Sequence, residues 1–204
     1  MYALVEDGSI SKLITNPKAM VIGDVRYPAK IFSVWSQSEL NAIGIYEVIT
    51  DSTNFKDQAY YINTNEEYNF ADNQVTRSWG TATPKRLEDE DAVDQDGENI
   101  LDDDGNQVIN YGLKTEKKRI VKEQASGLLE KTDWHNHKAL DDETYTTPDN
   151  IKTYRANVRA KSNEMETQID ACTNVDELKA LYEYTTQEDG TQTRPLAEFP
   201  KLEN

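Results

Sequence analysis

Asp94, Asp96, Asp102 and Asp104 are the side chains whose type and spacing most invite chemistry. Each pair ends in an Asp-Gly step, Asp96-Gly97 and Asp104-Gly105, and carboxylates grouped at tight turns are the oxygen donors that a calcium ion takes. An EF-hand loop needs acids at its positions 1, 3 and 5 and Gly at 6. Gly97 at that place puts Ala92 at the first ligand, and Gly105 puts Ile100 there, so both frames fail. A looser site from the same four aspartates stays open beside the plainer reading, a solvated acidic hairpin. His135 and His137 are the only histidines, with Asp133, Asp141 and Asp142 nearby. They would share a face on a strand, but no third strong ligand stands at a diagnostic spacing, and a polar loop between helices is the plainer expectation.

Nucleophilic and phosphate-handling motifs are missing: there is no Gly-x-Ser-x-Gly, no Cys/His pair and no Gly-rich loop. The chain is therefore expected not to be an enzyme and to carry no cofactor or metal. Trp35, Tyr60, Tyr61, Tyr68 and Trp79 could form an aromatic platform for a glycan. Alternating aromatics in strands otherwise pack across a sheet.

The elements that hold these residues change character along the chain. Residues 2–6 and 9–14 flank Asp7-Gly8, the strongest short hairpin signal. After Asn16-Pro17, Met20-Val21-Ile22 and Ile31 to Trp35 flank a Gly23-Asp24 turn and Tyr27-Pro28. Ser36 or Ser38 caps a helical turn through Glu39-Leu40, Gly44 closes it, and a strand follows at Ile45–Ile49. Further strands are predicted at 58–63, 67–71 and 74–79. From Lys85 to Asn110 ten acids face two bases, net -8, half of the whole chain's -16. Ile100-Leu101 and Val108-Ile109 are placed to pair across the second turn of an acidic hairpin, with plain disorder of the segment as the alternative.

Beyond it the period becomes helical. Leu113, Ile120, Val121, Ala125, Leu128 and Leu129 mark a helix over 113–131 with a basic face at Lys114, Lys117, Lys118, Arg119 and Lys122. Thr147-Pro148-Asp149 reads as a helix start with a capping hydroxyl and Pro at the first helical position. The stripe Ile151, Tyr154, Val158, Ser162, Met165, Ile169, Cys172 is a narrow seam, suited to a helical hairpin or a coiled-coil-like contact. Asn174 with Glu177 starts a third helix carrying Val175, Leu178, Leu181 and Tyr182. The prolines of the tail from Arg194 to Leu202 keep it extended.

Composition bounds the rest. Leu, Ile, Val and Phe make up 41 of 204 residues, at the lower limit for a charged chain that folds, and 11 Tyr and 3 Trp add to the folded side. The single Cys172 excludes an internal disulfide, the opening residues lack the basic and apolar regions of a secretory leader, and no run is long enough to span a bilayer. An acidic surface opposes nucleic-acid and membrane binding. The expected fold class is α+β: a small β-rich N-terminal domain (1–85) for docking, an acidic β-hairpin insertion (86–111), and a C-terminal helical hairpin or bundle with an extended tail (112–204).

Two stretches carry a resemblance. Tyr27-Pro28, Trp35, Glu39-Leu40 and Gly44-Ile45 after an N-terminal hairpin resemble the opening module of many tailed-phage proteins of uncharacterised role. Thr132-Asp133-Trp134, with Lys138 where the group carries Arg, then Pro148, Tyr154-Arg155, Arg159 and Phe199-Pro200-Lys201-Leu202, resemble the C-terminal region of phage tail-fibre assembly chaperones and related tail-associated proteins, particularly of marine phages. The resemblance implies a virus-encoded protein made in the host cytoplasm that acts by protein–protein contact. It would be a structural component of the virion, a tail or tail-fibre adaptor. The alternatives are a chaperone left out of the particle and a glycan-binding receptor-recognition protein. Other tail or tail-fibre proteins and further copies of the chain are the expected partners. The expected contact residues are Trp35, Tyr60, Tyr61, Trp79, Trp134, Tyr154, Val158, Met165, Ile169, Lys117, Lys118 and Arg119, the seam joining copies and the basic face meeting the acidic hairpin within one chain or between neighbouring copies.

Overall fold

A computed structural model describes residues 1–202, in two compact units divided between Pro84 and Lys85. Strands dominate the first and helices the second, so the fold class is α+β. The acidic segment that composition sets apart as a third piece groups with the helices.

In the first unit β1 (Tyr2–Glu6) and β2 (Ser9–Ile14) form the hairpin predicted at Asp7-Gly8, whose φ angles of 50° and 75° match the twist of the flanking strands. β3 (Met20–Ile22) and β4 (Val25–Tyr27) pair across Gly23-Asp24. After the single turn α1 (Ile31–Val34), α2 (Gln37–Ala42) opens with a full capping box: the Glu39 N–H donates to Ser36 Oγ at 3.3 Å, and the Ser36 N–H donates to the Glu39 carboxylate at 2.7 Å. Gly44, at φ 85°, turns the chain into β5 (Ile45–Thr50). A Cβ there would stand 2.6 Å from the Val5 carbonyl oxygen.

β6 (Tyr61–Ile62), β7 (Glu67–Ala71), β8 (Gln74–Ser78) and β9 (Thr83–Pro84) complete the unit. The predicted strand at 58–63 contracts to two residues, because Tyr60 and Tyr61 both donate their N–H groups to Asp57 O in a turn. The main sheet runs β2-β1-β5-β8-β7 and curls until its two end strands approach each other. β5 joins its halves: Ile45–Glu47 pairs antiparallel with β1, and Val48–Thr50 pairs parallel with β8. Leu4, Ile14, Ile31, Leu40 and Ile45 form the core, with Tyr2, Met20, Tyr27, Phe32 and Trp35 packed around it.

In the second unit β10 (Glu90–Asp91) pairs with β11 (Ile109–Asn110). Four helices follow: α3 (Leu113–Glu130), α4 (Asp133–Asp141), α5 (Asp149–Ala171) and α6 (Val175–Ala180). β12 (Thr185–Thr186) and β13 (Gln192–Thr193) then form a small hairpin that the propensity of the tail did not suggest. α3 packs along α5, with Ala125, Tyr154 and Val158 in a cluster that Leu128, Leu129 and Phe199 cover. The tail is extended as expected but docked: Leu196 is buried, its N–H donates to Leu181 O at 3.0 Å, and the Gln168 amide brackets Pro195 and Ala197.

One helix and two helix boundaries depart from expectation. Residues 133–141 are a helix where a polar loop was expected. Asp149 is the first residue of α5 and Pro148 its N-cap; the buried Thr147 hydroxyl donates to His135 O at 3.4 Å instead of capping. The third predicted helix ends at Ala180, short of Leu181 and Tyr182. Among the described residues no helix is long and apolar enough to cross a membrane.

Candidate interaction sites

The equal spacing of Ala92, Ile100 and Val108 produces a three-way junction. The Ala92 N–H donates to Val108 O (2.8 Å), the Val108 N–H to Ile100 O (2.9 Å) and the Ile100 N–H to Ala92 O (2.9 Å), closing a ring of main-chain bonds. Three antiparallel pairs radiate from it: Val93 with Asn99, Leu101 with Gln107, and β10 with β11. The first two are short arms ending in matching turns. Asp94 Oδ1 accepts the N–H groups of Asp96 and Glu98, both at 2.9 Å, and Asp102 Oδ1 accepts those of Asp104 (3.0 Å) and Asn106 (2.8 Å). Such Asx bonds fold a loop without apolar burial.

One expected acidic hairpin is thus two arms on a ring: across the second turn Val108 does bond Ile100, while Leu101 pairs with Gln107 and Ile109 with Asp91. With two turns eight residues apart, each strand of the ring has two neighbours instead of one. The N–H donors hold the Asp102 carboxyl below its usual range, Asn106 contributing most. Asp94 and Asp102 each turn one carboxylate oxygen toward their own main chain. Among the described residues no three His, Cys, Asp or Glu side chains converge on a point that could hold a metal.

The junction is fixed to α3 at its base. Gly112, the N-cap, donates its N–H to Asp89 Oδ1 at 2.8 Å, and the Thr115 hydroxyl donates to Asp89 Oδ2 at 2.9 Å. The next N–H groups of the helix, of Leu113 and Lys114, donate to the carbonyls of Arg86 and Leu87 at 3.0 and 3.1 Å. Main chain therefore satisfies donors that a side-chain cap would otherwise serve. The approach is so close that a Cβ at Gly112 would lie 2.4 Å from the Glu88 carbonyl.

The basic face of α3 finds other partners than expected. Lys118 Nζ bonds Asp170 Oδ1 at 2.7 Å and Lys122 Nζ bonds Glu166 Oε2 at 3.2 Å, both carboxylates on α5, while Arg119 bridges Glu116 and Glu123 of its own helix. Asp170 holds the Lys118 ammonium above its usual range. Lys117 lies over the Tyr182 ring, 4.8 Å from its centroid. Lys114 reaches the acidic segment at Glu88, near its base, and it also donates to Asp170 O at 3.0 Å. Within one chain this face turns to α5 rather than to the arms, because the α3–α5 packing brings acids of α5 within reach first. Among the described residues, no carboxylate from Asp94 to Asp104 is in an ion pair.

Arg155 is the buried polar centre of the helical unit. Its Nη1 donates to Leu129 O and to Thr132 Oγ1, both at 2.7 Å, and its Nη2 pairs with Asp133 Oδ1 at 2.7 Å. One guanidinium from α5 thus satisfies the end of α3 and fixes the start of α4, using the fork of donors that only Arg presents. Thr132, Asp133 and Arg155 meet in this knot.

The expected contact residues divide sharply. Tyr154, Val158, Met165 and Ile169 are buried within the chain, so the seam is filled without a second copy. Tyr60 and Tyr61 are also buried; Trp35 sits edge-on to Tyr27 in the first core, and Trp79 lies between Phe55 and the Arg77 guanidinium, 4.4 Å from its ring. With Tyr60 and Tyr61 buried, these aromatics do not present one exposed platform. Trp134 is exposed (55 %), stacked on His135, whose Nδ1 bonds the Tyr145 hydroxyl. His135 and His137 stand on a helix, where residues two apart point in different directions. No family model, curated protein or solved structure matches this chain.

Proposed function

We propose that this chain is a non-enzymatic structural protein of a tailed-phage virion, a tail or tail-fibre adaptor working through protein–protein contacts. Its partners are other tail proteins and further copies of itself. The assignment to phage tails rests on the two stretches of resemblance. The observation that carries the adaptor role is the anchored pair of acidic arms: their carboxylates have no counter-charge among the described residues, and their shape is held by main-chain bonds and Asx turns. Such an element adds little to a core, and it presents fixed charge, which steers and orients association.

Mass spectrometry of purified particles of the encoding phage tests this. Peptides of the chain at constant copy number per particle are expected. Their absence from mature virions, with the protein abundant in the infected cell, overturns the structural reading in favour of an assembly chaperone.

A further inference from the structure

A groove of about 380 Å³ runs beside β2, the end strand of the curled sheet, between Lys12–Asn16 and Lys18–Val21. In a chain of net charge -16 its lining contains no carboxylate. Lys12 and Lys18 lie on it, exposed and, among the described residues, in no ion pair; Leu13 and Val21 expose apolar surface between them. The acidic arms carry the complementary arrangement. Val93 and Leu101 are exposed at the root of each arm, and each is followed by carboxylates in no ion pair, Asp94, Asp96 and Glu98 in one arm and Asp102, Asp103 and Asp104 in the other.

We propose that this groove is a self-association site that receives an acidic arm of a second copy. An apolar side chain, Val93 or Leu101, covers Leu13 and Val21, while the carboxylates of the turn face Lys12 and Lys18. Exposed charges contribute little each, so they set register and approach, and the apolar contact supplies the attraction. Because groove and arm are different surfaces, each contact is heterologous, and such contacts build reciprocal pairs, rings or open chains according to whether they close. This goes beyond the virion reading and does not depend on it, since the contact would form in the purified protein.

Sedimentation velocity of the purified full chain over a concentration series, at low and high salt, tests the proposal. Self-association that weakens with salt is expected. The double reversal Lys12→Glu with Lys18→Glu should weaken it at least tenfold. Glu98→Lys with Asp103→Lys should do the same, and these positions leave the Asp94 and Asp102 turn bonds intact. Combining all four reversals should restore association toward the wild-type level. A wild-type chain that stays monomeric up to its solubility limit overturns the proposal, as does association that the lysine reversals leave unchanged or that the combination does not restore. Circular dichroism of each variant confirms that the fold persists, and the virion test above is unaffected by either result.

Discussion

The α3–α5 pairing and the acidic arms are adjoining parts of one unit, both dense in charge, and they are held together by opposite means. Between the helices, side chains carry the structure: a strip of buried residues down α5 and lysines that cross to Glu166 and Asp170. In the arms, the backbone carries it: a ring of three main-chain bonds and two aspartates folded onto their own amides. Charge in the first region is neutralised at short range and sits around a core. Charge in the second is left over. A run of acids in a sequence can therefore be part of a packed interface or a displayed surface, and only the partner of each residue separates the two.

The largest test of the contrast is truncation. Ile169 is fully buried, so Ile169→Ala should destabilise the helical unit by about 4 kcal/mol, while Leu101→Ala, at an arm position 56 % exposed, should leave it within about 0.5 kcal/mol. Urea titration followed by the helical signal measures both, and equal effects would erase the distinction. Next in size is Arg155→Leu, expected to remove about 3 kcal/mol by deleting the buried charge-assisted bonds to Leu129 O and Thr132 Oγ1, groups that keep only the bond they make to each other; Asp133 is 45 % exposed and regains water. Arg155→Lys should recover only part of this, since an ammonium lacks the planar fork. Smaller again is Gly112→Ala. The added Cβ meets backbone that has no room to yield, so a loss of about 2 kcal/mol is expected, together with faster amide exchange at Leu113 and Lys114, whose acceptors are the carbonyls of Arg86 and Leu87. Protection unchanged at those two amides would mean that the arms are not fixed to α3 in this way.

Local signals were legible wherever the stabilising partner lies a few residues away. The Asp7-Gly8 hairpin, the Ser36–Glu39 box and the Asn174 cap each need only residues within one turn, and each formed as its residues suggest. The helices at 113–130 and 149–171 were likewise visible from their period. What could not be seen depends on contacts between distant segments. α4 has few apolar residues, and its start is secured by Arg155, more than twenty residues away, so its own sequence looks like a loop. The seam of α5 looks too narrow to be a core until α3 is laid along it. The lysines of α3 had two sets of acids to choose from, and the choice was made by helix packing. At the arms the Asp-Gly spacing was visible, but a ring of three strands is a property of two turns acting together. The Asp189-Gly190 turn was missed although its main chain repeats theirs, with the Gln187 N–H bonded to Thr191 O at 2.7 Å; here Gln187 stands where the arms have Asp94 and Asp102, and Asp189 accepts from Thr191.

The smallest expected effect separates the two regions by pH. Accepting N–H bonds lowers the Asp102 carboxyl in the folded arm below its ordinary value of 3.8, so folding of that turn favours the ionised form. Its contribution is complete above the ordinary value and disappears as pH falls through the lowered one. Lys118 behaves in the reverse sense: paired with Asp170, its ammonium lies above the ordinary value of 10.5, and its contribution is complete below that value and lost as pH rises through the raised one. An NMR titration should therefore show the Asn106 and Asp104 amides losing protection below the ordinary carboxylate range, with Asp102→Asn blunting the transition because a neutral amide oxygen still accepts the same bonds. Because the turn is exposed, the change should stay local and leave the helical signal in place. Simultaneous loss of arm and helix on acidification would show that the carboxylates support the fold as a whole, and the division between packed and displayed charge would fail.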